Sequence, residues 1–205
     1  MILYRPVDIH ELKLVYESGM KEFPPRLTGQ PIFYPVLNLQ YASEIAERWN
    51  ATGPSFSGYV TKFVVDDLCA ARYEPHQVGA KYHMELWVPA GELSAFNTHI
   101  SAPIEVASAF FGENFKGYVP ERFGLKGKNV TEQFVALAHT LDYSGMDFKM
   151  EIKANHAAVF LNHAFWVQHN FSSSGIDEST QRRVLKAIDN IWYEAFANMV
   201  LPKPP

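Results

Sequence analysis

Glu85 stands two residues after His83 in the segment His83-Met84-Glu85-Leu86-Trp87-Val88, so an extended chain there turns both side chains to one side. Such a pair can hold a hydroxyl or share a proton, although a loop-edge histidine and a water-facing glutamate are the commoner outcomes. Farther on, Asp147, Glu151, Asn155, Asn162 and His169 fall in one narrow polar arc if residues 145–169 form a single helix turning 100° per residue. That stripe reads first as a solvated face. Its other reading is the lining of a cleft, with acceptors for a ribose or a cation. His156 and His163 lie two turns apart on a different face, and without a carboxylate or cysteine beside them they read as core or interface histidines rather than metal ligands. No P-loop, GxGxxG, HExxH, CxxC or GxSxG motif occurs, so phosphate-loop, zinc and acyl-transfer signatures are all missing.

The elements that must position these groups divide the chain in two. Ile2 to Tyr4 is a short apolar run that Pro6 is expected to end, and Asp8 caps a helix with apolar residues at 9, 12, 15 and 16, closed by Gly19. A Pro/Gly-rich loop over 23–30 leads to the apolar run 32–37, and Asn38 caps a second helix over 41–49. Residues 59–65 make the best strand, β-branched and aromatic; further strands are expected at 83–88 and 104–107, with a short helix over 90–97 between them. From residue 129 on, only helical periodicity remains, in three segments at 130–141, 145–169 and 178–200, with Asp177 capping the last. The expected organisation is α+β: a mixed α/β region over 1–111, a linker or surface loop over 112–128 that carries four glycines, and a helical region over 129–205.

With 205 residues and 47% hydrophobic composition, the chain can bury a core without disulfides or metals. A formal charge of -4 provides no phosphate-backbone footprint, so a nucleic-acid partner lacks electrostatic support. The lone Cys69 allows no internal disulfide and reads as a buried, inert thiol in a reducing compartment. No run nears 18 apolar residues, and the N-terminus has no basic segment followed by an apolar one; the expectation is a cytoplasmic chain with no membrane association.

The stretches Leu3-Tyr4-Arg5-Pro6-Val7, Phe23-Pro24-Pro25-Arg26, Glu85-Leu86-Trp87-Val88-Pro89 and Phe123-Gly124-Leu125-Lys126-Gly127 resemble a group of small bacterial proteins labelled ADP-ribosylation/crystallin J1. The order of the first half (Arg5 ending a strand, Phe33-Tyr34 before a helix, Glu85 on a later strand) resembles the NAD-binding core of ADP-ribosyltransferases. Where many of those transferases carry Ser-Thr-Ser on the middle strand, this chain has Tyr34-Pro35-Val36.

The resemblance implies an ADP-ribosyltransferase-like fold for the first half and NAD as substrate, with no metal. It assigns Glu85 as the catalytic carboxylate beside an oxocarbenium-like transition state, and Arg5, Phe33, Tyr34 and His83 as cofactor-binding residues. Arg5 would offer a planar fork to a phosphate or ribose oxygen, and the aromatic rings would stack on the nicotinamide cation. The acceptor, protein or nucleic acid, stays open, as does oligomeric state. Two competing readings are a catalytically inert interaction protein using an aromatic surface that includes Trp166 and Trp192, and an ADP-ribose hydrolase with a metal at Asp147 and Glu151.

Overall fold

A computed structural model describes residues 1–202. The chain is a mixed α+β protein that divides into two compact units, Met1–Glu113 and the stretch from Asn114 onward.

In the first unit, strand β1 (Ile2–Val7) leads into helix α1 (Ile9–Glu17). Asp8 caps α1 by accepting the backbone N–H groups of His10 and Glu11. At the other end Gly19, at φ +74°, donates its N–H to Tyr16 O while Met20 N–H reaches Val15 O, closing the last turn. Next come β2 (Ile32–Phe33) and α2 (Leu39–Ile45), capped by Asn38 and continued by a π-helical turn over Ala46–Asn50. Strand β3 (Ser57–Val64), α3 (Asp67–Ala70), β4 (Pro75–Gln77), β5 (Met84–Leu86), β6 (Val88–Pro89), α4 (Leu93–Asn97) and β7 (Glu105–Phe111) complete the unit.

The antiparallel sheet β1-β3-β7 is the spine, with β3 central. Pro6 does not end β1 as expected: the strand runs through it and pairs it with Val60. Tyr4 donates to and accepts from Val36 on the side away from β3, so the nitrogen of Pro6, two residues on, also faces that outer edge and no ladder bond is lost. Beneath one face lies an aromatic core in which Phe23 meets Phe33 at 5.0 Å and Phe63 at 4.9 Å. On the other face α2 packs Tyr41 and Ala42 against Val36 and Val60. Gly58 permits this, since a Cβ there would sit 2.0 Å from Ala46 O. Cys69 is buried.

The second unit holds α5 (Val130–Tyr143), α6 (Gly145–Ala154), α7 (His156–Gln168) and α8 (Glu178–Ala195). The single helix expected over 145–169 is broken at Asn155, at φ -104° and ψ 28°. The Asn155 amide bonds both the carbonyl and the carboxylate of Glu151, drawing the backbone out of the helical run. Residues 115–128 are irregular but packed: Phe115 and Leu125 are buried, and Gln133 and Asn162 bond the backbone of Tyr118. Trp166 and Trp192, which the interaction-protein reading places on an aromatic surface, are core residues; their indole N–H groups donate inward to Val130 O and Met199 O.

Candidate functional site

Strand pairing gathers the chemistry-bearing residues of the first unit. Single bridges join Tyr4 to Val36 and Val36 to Glu85, and residues directly opposite in antiparallel strands share a face. Glu85 therefore lies on the face that carries Tyr4 and Tyr41. Arg5, the next residue along β1, points to the opposite face.

Around Glu85 the side chains are in close contact. The residue is 9% exposed, and its carboxylate accepts the Trp87 indole N–H through Oε1 at 2.7 Å, while Oε2 has no hydrogen bond among the described residues. His76 sits opposite Glu85 in the β4–β5 pair and stacks on Trp87 at 4.2 Å. Tyr34 meets the same indole edge-on, at 6.2 Å and 90°. Trp87 and Tyr34 are both exposed, so the pair forms a right-angled aromatic corner above a buried carboxylate. Tyr41 lies close enough that burial, helped by the Glu85 and Glu44 carboxylates, raises its phenol above the ordinary value.

His83 is committed elsewhere. Ala80 N–H donates to its Nδ1 at 3.2 Å, which leaves the proton of the neutral ring on Nε2, 3.2 Å from Glu44 Oε2. Tyr82 donates to the other oxygen of Glu44, the main reason that carboxyl titrates below its usual range. Tyr41 stacks on the imidazole at 4.3 Å. His83 thus ties the β4–β5 turn to α2, where it had been expected to join Glu85.

On the opposite face Arg5 donates from Nε and Nη2 to the two oxygens of Glu11, at 2.8 and 3.1 Å, and lies 4.7 Å over the Phe33 ring. Its Nη1 reaches Tyr34 O at 3.4 Å. Phe33 is wholly buried in the aromatic core. Arg5, Phe33 and Tyr34 are therefore contiguous, but Glu85 is separated from the guanidinium by the sheet. Alternation at the Phe33-Tyr34 step sends one ring to each face.

The polar stripe does not survive the break at Asn155. Asp147 is exposed in the first turn of α6, and Glu151 accepts from Gly124 N–H and Asn155. Asn162 is fully buried and bonds Tyr118 and Gln133, whereas His169 stacks on Phe165 at 4.6 Å. These are structural contacts. Among the described residues no three His, Cys, Asp or Glu side chains gather as metal donors. His163 is buried and bonds Pro202 O at 2.7 Å, while His156 contacts the Phe196 ring.

Trp87, His76, Glu11 and Arg26 have no role assigned from the sequence. Trp87 carried a signal, since it follows Glu85 by two residues. The pairing of Arg5 with Glu11 carried none, because it depends on how α1 folds back on β1. No helix is long and apolar enough to cross a membrane among the described residues. Comparison of the chain with family models, curated proteins and solved structures gives no match.

Proposed function

We propose that this protein is an NAD-dependent ADP-ribosyltransferase in which Glu85 is the catalytic carboxylate. The observation that carries the reading is the buried Glu85 carboxylate, with one oxygen held by Trp87 and the other unspent, beneath the exposed corner of Trp87 and Tyr34. An aromatic face attracts the nicotinamide cation. The unspent oxygen can accept a ribose hydroxyl and set negative charge beside C1′ as the bond to nicotinamide breaks. The bonding pair leaves with nicotinamide, and the acceptor nucleophile forms the new bond to C1′ and gives up its proton. Arg5 is a positioning residue in this scheme: through Tyr34 O it sets the segment that carries the ring.

Incubation of the full chain with NAD tests the proposal. Nicotinamide release is expected, reduced about 100-fold or more in Glu85→Gln, and NAD binding is expected to weaken in Trp87→Ala. Absence of NAD binding by calorimetry, with a normally folded chain, overturns the reading and leaves an interaction protein.

A further inference from the structure

At the outer edge of β1, a cavity of about 410 Å³, lined by both Arg5 and Pro6, opens between α1 and the loop that follows it. Its polar lining includes Arg5, Arg26, Asp8, Glu11, Gln30 and Asn50; Pro24, Pro25, Leu14 and Leu27 supply apolar walls. Two guanidinium groups face two carboxylates here, but the carboxylates are already engaged. Glu11 gives both oxygens to Arg5, and Asp8 Oδ1 caps α1. Arg26 is left over. Its side chain is 11% exposed, its Nε donates to Ile32 O at 3.2 Å, and its Nη1 comes no closer than 3.8 Å to Glu11. Among the described residues its terminal nitrogens make no hydrogen bond, so a planar fork of donors faces the cavity unspent.

We propose that this cavity binds a phosphate-bearing small molecule, with the terminal nitrogens of Arg26 on the phosphate oxygens and the proline and leucine walls against its organic part. A guanidinium fork matches two phosphate oxygens in a bidentate pair. The cavity is larger than a bare anion needs, and the amides of Gln30 and Asn50 provide donors and acceptors for hydroxyl groups. Burial, and next the Arg5 guanidinium, push Arg26 below its ordinary titration range, and the Glu11 carboxylate offsets this only in part. The site does not rest on the transferase reading, because neither Glu85 nor Trp87 lines the cavity.

Titration calorimetry of the full chain with ribose 5-phosphate, inorganic phosphate and acetate tests the site. Saturable binding of ribose 5-phosphate is expected, tighter than that of phosphate and at least tenfold tighter than that of acetate. Arg26→Gln should weaken it at least tenfold and Arg26→Lys less. Asp8→Asn keeps the helix cap while removing a negative charge at the cavity, and should tighten it severalfold. Arg182→Gln, which breaks only an exposed pair with Glu178 on α8, should leave it unchanged. Equal binding of acetate, binding indifferent to Arg26→Gln and Asp8→Asn, or no binding by a chain with a normal melting curve overturns the proposal.

Discussion

The Arg5–Glu11 pair shows what a buried charge asks of its neighbours. Arg5 is nine-tenths covered, and its charge is tolerable because both oxygens of Glu11 meet it and the Phe33 ring lies beneath it. Glu11→Ala would leave the guanidinium buried and alone, at a cost of about 3 kcal/mol, whereas the double replacement Arg5→Met with Glu11→Leu should cost much less. A double-mutant cycle by urea denaturation checks this, and equal costs for the single and the double replacement would refute the coupling. His169 supplies a pH signature. Burial holds its imidazole below the ordinary value, so as pH falls below about 6.5 the unfolded chain takes up the proton first and stability drops until the folded-state value is passed. The loss in melting temperature between pH 7.5 and pH 5.5 should shrink in His169→Gln. At this scale Glu85 and Tyr34, both named from the sequence, share a face through Trp87. It could not say that Arg5 would turn away, because the register that bridges Tyr4 to Val36 and Val36 to Glu85 is set by pairing between distant segments.

Helix starts were the most legible elements. Asp8, Asn38 and Asp177 cap helices where their positions indicated, because a short polar side chain before an apolar-periodic run offers an acceptor to free N–H groups. Asn129 does so most fully, bonding Thr131 and Glu132 N–H while Glu132 returns a bond to Asn129 N–H. Asn129→Ala should cost about 1 kcal/mol, read as a lowered denaturation midpoint with unchanged slope. Gly58→Ala should be worse and should disrupt expression or folding outright, since the added Cβ meets a backbone oxygen that no rotamer change can move. Continuity within elements was less legible. The 100° periodicity of 145–169 continues straight through Asn155, and only the bonds from that amide to Glu151 reveal the break. Likewise the apolar segment at 83–88 becomes two short strands that flank Trp87.

Each of the two units has its own buried core, aromatic under the sheet in the first and built from Phe134, Phe148, Phe160 and Trp166 in the second. The described end of the chain belongs to the second core: Leu201 is buried, Pro202 O accepts from buried His163, and Met199 O accepts from Trp192. Removing residues 198–205 should therefore uncover Trp192, lower stability by about 2 kcal/mol and the melting temperature by about 4–8 °C, and shift tryptophan emission to the red. An unshifted emission maximum would contradict the packing. What the sequence alone determined was composition-level and local: an α+β chain, helical in its second half, with its caps and its best strand in place, because those follow from side chains interacting with their own near neighbours. The tertiary structure alone decided which side chains meet. The faces of Arg5 and Glu85, the burial of Asn162, and the unspent donors of Arg26 all depend on contacts between residues far apart in the chain, which neither spacing nor periodicity encodes.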